Sequence, residues 1–139
     1  MGRILGPNIR NVFSVLDPVS GKEIDLYYRM PTTSERVAYE SGKWGMDEKG
    51  ALVNRAIEAR REYGLLILEG FKKGSFHLSQ KDGSLKDFSS DPADPDYIAD
   101  WKDKIKEFAI DLIEVLAHRI FDAPPVIMNQ ENQEDERKN

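Results

Sequence analysis

The chain has 139 residues, 40% of them hydrophobic and 32% charged, with a formal net charge of −5 and no cysteine. That length and balance fit one domain able to bury a working core, and the missing cysteine removes disulfides, thiolate metal centres and cysteine nucleophiles. The acidic balance argues against a nucleic-acid partner, which usually requires a basic face. The longest purely aliphatic run, Leu65-Leu66-Ile67-Leu68, falls far short of the roughly 20 residues a membrane-spanning helix needs, so no membrane partner is expected. No basic segment followed by an apolar stretch opens the sequence, and Gly6 stands where a myristoylation signal needs Ser or Thr. A cytoplasmic protein is the expectation.

Residues 1–10 read as an N-terminal arm, 11–123 as a single α+β domain and 124–139 as a disordered acidic tail. Asn11–Leu16 is rich in β-branched and aromatic residues, and Asp17-Pro18-Val19-Ser20-Gly21 supplies turn chemistry. Glu23–Met30 then alternates, with Ile24, Leu26, Tyr28 and Met30 on one side. These features predict a β-hairpin. An isolated hairpin is marginal in water, so it is expected to dock on the chain's own helices; an edge left open there would be an assembly surface.

Pro31 ends the strand, and Thr32-Thr33-Ser34-Glu35 has the form of a capping box opening a short helix that stops near Ser41-Gly42. Trp44-Gly45 falls in the next link. A second helix is expected from about Glu48 to Gly70, capped by Asp47, with Leu52, Ala56, Ala59, Tyr63 and Leu66 on its apolar stripe. Gly64 inside it costs roughly 1 kcal/mol against Ala, which suits a bend or a tight helix crossing. Residues 72–93 read as a long loop with Phe76, Leu78, Leu85 and Phe88 as anchors, and Lys81-Asp82-Gly83-Ser84 as the turn of a second short hairpin. Asp94 as cap and Pro95 at the first helical position then predict a helix of roughly 40 Å, ending at Asp122-Ala123-Pro124-Pro125. Its buried stripe would be Tyr97, Trp101, Ile105, Phe108, Leu112, Leu116 and Ile120. Residues 129–139 contain no apolar group and are not expected to fold alone. The predicted architecture is α+β, an N-terminal β-hairpin packed on a mainly α-helical bundle with two long helices.

The residues that carry chemistry form no catalytic constellation. Asp91, Asp94 and Asp96 lie close in sequence, but they lack the ligand number and turn glycine of a calcium loop, so helix capping is the better reading. His77 and His118 have no metal-motif partner at helical spacing, and His118 suits a helix C-terminus as a complement to the dipole. Arg55, Arg60 and Arg61 are interleaved with Glu58 and Glu62, as on a solvated helix face. Gly42, Gly45 and Gly50 are not followed by the Gly-Lys-Ser/Thr of a phosphate loop, and Ser14, Ser34 and Ser75 have no nucleophile-elbow context. No catalytic residue, metal or cofactor is assigned, and a non-enzyme is expected.

The early strand pair, then Tyr28-Arg29-Met30-Pro31-Thr32-Thr33-Ser34-Glu35-Arg36, then acidic-capped helices resembles the layout of small phage and prophage tail assembly chaperones. The similarity covers about residues 11–71, and the family has no catalytic signature to carry over. The resemblance implies binding of the tape-measure or tail-tube protein. A structural minor tail or connector component of the virion, and a bacterial adaptor unrelated to phage, are the alternative readings. Either way the expected partner is a protein, with a homo-oligomer also possible on sequence grounds. Trp44, Phe71, Phe76 and Phe88 lie in links or loops, where a core has less call for large aromatics, and are the candidate protein-binding residues; the competing reading is that they close the ends of the core.

Overall fold

In the computed structural model, which describes residues 2–6 and 9–123, β1 (Asn11–Leu16) and β2 (Glu23–Tyr28) form the expected antiparallel hairpin, with Asn11 opposite Tyr28 and Leu16 opposite Glu23. Its turn is tied by Asp17, whose carboxylate accepts the Val19 and Ser20 N–H groups, while Gly21 takes a positive φ of 72°. Ile24 and Leu26 are buried as the alternation requires; Tyr28 is half-buried, and Met30, beyond the strand, is exposed. The anticipated tail, 124–139, lies outside the described residues.

Helix α1 (Thr33–Gly42) starts on the predicted capping box: the Glu35 N–H donates to Thr32 Oγ1 at 3.1 Å and the Thr32 N–H to Glu35 Oε1 at 2.8 Å. The same carboxylate receives both Nη atoms of Arg29, at 2.8 and 2.7 Å, which locks the end of β2 to the start of the helix.

The expected helix over 48–70 is replaced by three elements. β3 (Trp44–Met46) and β4 (Leu52–Asn54) form a short antiparallel ribbon, α2 covers Ala56–Ile67, and β5 (Leu68–Phe71) joins the opposite side of β2, giving the sheet order β1-β2-β5. The helix cannot begin at Glu48 because the Asp47 carboxylate captures the Lys49 and Ala51 N–H groups at 2.9 and 2.8 Å, and Gly50 turns the chain at φ 81°. The aliphatic run 65–68 spans the junction of α2 and β5, where apolar residues without periodicity suit either state.

The second hairpin forms as expected, from β6 (His77–Ser79) and β7 (Leu85–Asp87). The long C-terminal helix does not. Asp94 accepts the Asp96 N–H at 2.8 Å instead of capping a helix, and Lys73 holds Asp94 and Asp96 at 3.0 and 2.9 Å. Ser89 bridges to this segment through the Asp96 carbonyl and the Ile98 N–H. Helical structure starts only at α3 (Trp101–Phe108), breaks at Ala109 (φ −137°, ψ 33°), and resumes as α4 (Ile110–Ala117) and a π-helical turn, His118–Asp122. The break puts Phe108 outside, 76% exposed, whereas Ile105, Leu112, Leu116 and Ile120 are buried as predicted. The protein is thus α+β, and the longest α-helix among the described residues has 12 residues; the two long helices are not present among them.

Ile24 and Leu26 of β2, Leu68 and Phe71 of β5, and Ile113 and Leu116 of α4 share one buried cluster. Gly64 sets how closely α2 and α4 approach: a Cβ there would lie 2.6 Å from Ile113 Cγ2 and 2.8 Å from the Ile113 carbonyl oxygen. Gly64→Ala is therefore expected to destabilise by about 1–3 kcal/mol through overpacking, although the same change in an open helix would gain roughly 1 kcal/mol. Chemical denaturation reads the sign directly, and a higher midpoint would mean that the two helices do not pack backbone to backbone.

Candidate protein-binding face

The β3–β4 ribbon follows directly from the end of α1. Lys43, the residue after that helix, donates its N–H to the Tyr39 and Ser41 carbonyls, and its ammonium sits 2.7 Å from Asp122. At the far end of the ribbon the Arg55 N–H returns to the Lys43 carbonyl at 2.6 Å, and Asn54 Oδ1 accepts the Ala56 N–H at 2.8 Å where α2 begins. Both ends of the ribbon are thereby fixed to helices.

The pairing Trp44 with Asn54, Gly45 with Val53 and Met46 with Leu52 assigns the side chains to two faces. Arg55 lies against Gly45 on one face, where a Cβ would collide with its guanidinium arm. The opposite face carries Trp44, Met46 and Leu52, which are 54%, 66% and 68% exposed. Three large apolar side chains thus share one face of a two-stranded ribbon that joins no other strand among the described residues. Ile57, in the first turn of α2, is exposed as well.

Of the four aromatic residues expected to bind, only Trp44 is open to a partner. Phe71 and Phe88 are 3% and 2% exposed, with ring centroids 5.0 Å apart. Phe76 is half-buried edge-on against Phe71 at 4.9 Å, and Trp101 meets Phe71 at 6.0 Å. These rings close the core beneath the β6–β7 hairpin, because an aromatic in a loop buries as much area as one in a helix when the loop folds back. Met46 and Leu52 were missed as surface residues. Their signal is the alternation either side of Asp47-Glu48-Lys49-Gly50, which has a period of two and a turn glycine.

The electrostatics beside the ribbon are structural. Asp122 receives the Tyr39 hydroxyl at 2.8 Å, Arg60 Nε at 2.8 Å and Lys43 Nζ at 2.7 Å, and His118 Nδ1 stands 3.4 Å away. Burial would raise its pKa, but the Lys43, Arg60 and Tyr39 hydrogen bonds outweigh that and hold the carboxyl well below the usual range. Tyr39 moves the opposite way, raised by burial and by the carboxylate it faces. The cluster ties α1 and α2 to the C-terminal turn. Arg55, Glu58, Arg61 and Glu62 are exposed, as expected of a solvated helix face, with Arg61 paired to Glu114 at 2.6 Å, whereas Arg60 is half-buried on Asp122. Among the described residues, no group of three or more His, Asp or Glu is arranged to hold a metal ion, and no helix is long and apolar enough to cross a membrane.

No family model, curated protein or solved structure matches the chain.

Proposed function

We propose that the protein is a non-enzymatic assembly factor of a phage or prophage tail, a chaperone that covers apolar helical segments of the tape-measure or tail-tube protein with the outer face of the β3–β4 ribbon. The observation that carries this reading is the exposure of Trp44, Met46 and Leu52 together on one anchored face. The layout of residues 11–71, a strand pair followed by a capped helix start, supports the tail-module partner. An apolar client helix docking on this face would remove area from water at about 25 cal/mol per Å². The face acts in the cytoplasm, where tails assemble, and leaves the client before the particle is complete.

The test is capture with the tagged protein from cells expressing its tail module. The tape-measure or tail-tube protein should be retained by the native chain, while Trp44→Ser and Leu52→Ser should each weaken retention at least about tenfold, equivalent to roughly 1.4 kcal/mol of binding. Both substitutions lie on the exposed face, so the thermal midpoint should move little. Mass spectrometry of purified particles should not find the protein; stoichiometric presence would favour the virion component. Retention of no tail protein would refute the reading.

A further inference from the structure

The open edge of β1 offers a second surface. We infer that two copies of this chain pair there, β1 against β1 in antiparallel register, to continue the sheet across a two-fold axis. The Asp17 N–H donates to the Lys22 carbonyl at 2.9 Å, which makes 17 and 22 a hydrogen-bonded pair of the hairpin. Alternation then turns the backbone groups of Asn11, Phe13 and Val15 toward β2 and those of Val12, Ser14 and Leu16 to the free edge. The Lys72 N–H reaches the Asp25 carbonyl at 3.0 Å, consistent with the same parity on the other side of β2. Among the described residues, no main-chain group is hydrogen-bonded to the N–H of Val12, Ser14 or Leu16.

Native edges are usually blunted by Lys, Pro or a bulge. The segment Asn-Val-Phe-Ser-Val-Leu has no charge and no proline, and its pairing runs six residues without interruption; the one irregularity of the sheet lies between β2 and β5. The edge is also self-complementary. Placing Ser14 opposite Ser14 of the second copy sets Val12 opposite the second copy's Leu16, and Leu16 opposite its Val12. All three N–H and three C=O groups of each edge are then used. The exposed apolar pair on the outer face, Val12 at 54% and Leu16 at 71%, is covered by its own symmetry mate. On the inner face the same register brings Phe13 opposite the second copy's Val15, so both cores stay on one side of the continuous sheet. A register shifted by one pair would set Leu16 opposite Arg10 in one direction or Ser14 in the other and lose that match.

One strand edge buries less than the roughly 1,200–2,000 Å² of a standard interface, so the dimer is expected to dissociate in the micromolar range. Sedimentation of the full chain should give the monomer mass near 1 µM and the dimer mass by roughly 100 µM. Ser14→Pro removes an edge-facing N–H while leaving the main-chain bonds to β2, and should abolish dimerisation; Ser14→Ala, which equally loses the hydroxyl bond to Asp25 Oδ1 at 2.6 Å but keeps the N–H, should retain it. Because the chain has no cysteine, Ser14→Cys adds a single thiol at the axis, where opposed Cα atoms about 5.5 Å apart suit a disulfide. Mild oxidation should cross-link that variant and leave Val12→Cys monomeric. A monomer at every concentration, dimerisation unaffected by Ser14→Pro, or cross-linking at 12 but not at 14 would each overturn the inference.

Discussion

Phe88→Ala is expected to cost about 3–5 kcal/mol, a large part of the roughly 5–15 kcal/mol that holds a domain of this size folded. Phe88 is 2% exposed and packs against Phe71, which in turn carries Phe76 and Trp101 on its other edges. Removing the ring leaves a cavity that the β6–β7 hairpin and α3 cannot both collapse into, so the loss includes the packing of its neighbours as well as its own transfer from water. Phe108→Ala is the matched control. Phe108 is the same residue type, on a helix, and 76% exposed, so its loss should change stability by no more than about 0.5 kcal/mol. Urea denaturation of the two variants separates them. Equal losses would mean that the chain does not break at Ala109 and that α3 turns its Phe108 face to the core.

Asp122→Ala should destabilise by about 2–3 kcal/mol, because it leaves the Tyr39 hydroxyl, Lys43 and Arg60 without their common acceptor. The figure lies below that for a fully buried pair because Lys43 and Arg60 keep 21% and 31% exposure and regain water. The same carboxylate shapes the pH dependence. Its pKa is lowered in the folded protein, and so is that of Glu35, which hydrogen bonding to Arg29 brings to about 2. A group lowered on folding stabilises fully above its unfolded value and loses that contribution as the pH falls through its folded value. Stability should therefore be level above about pH 5 and fall steadily from about pH 4 toward pH 2. Asp122→Asn should start from a lower plateau and show a shallower acid limb. An acid limb unchanged by that substitution would place the titrating group elsewhere.

The parts of the fold that were legible in the sequence are those fixed by local chemistry. Asp17 to Gly21 makes a turn whatever surrounds it, Thr32 and Glu35 cap each other, and Lys81 to Ser84 reverses the chain between β6 and β7. The close approach at Gly64 was legible for a similar reason, since a glycine inside an apolar helix needs a neighbour to justify it. The misread segments are those where a side chain competes with the helix for backbone donors. Asp47, Asp91 and Asp94 look like helix caps in sequence, but each binds N–H groups two to four residues on and closes a turn. Periodicity is ambiguous at both places: Leu52 fits a helical stripe as well as it fits a two-residue alternation, and nothing as overt as Pro or Gly marks the break at Ala109. The candidate site was half visible. Trp44 stood out as an aromatic in a link, whereas its partners Met46 and Leu52 become a surface only once β3 and β4 pair. Phe71 and Phe88 showed the reverse, since a loop position says nothing about whether the loop folds over the core.

Whether a client helix docks on the Trp44 face can be measured directly with the chain's own tryptophans. The chain has two, Trp44 and Trp101, and Trp101→Phe leaves Trp44 as the sole reporter while keeping an aromatic ring against Phe71. Emission of this variant alone should be that of a solvent-exposed indole, and binding of a tryptophan-free variant of the tape-measure or tail-tube protein should shift it to the blue as the ring leaves water. A stable complex in which the Trp44 emission stays that of the free protein would contradict the account.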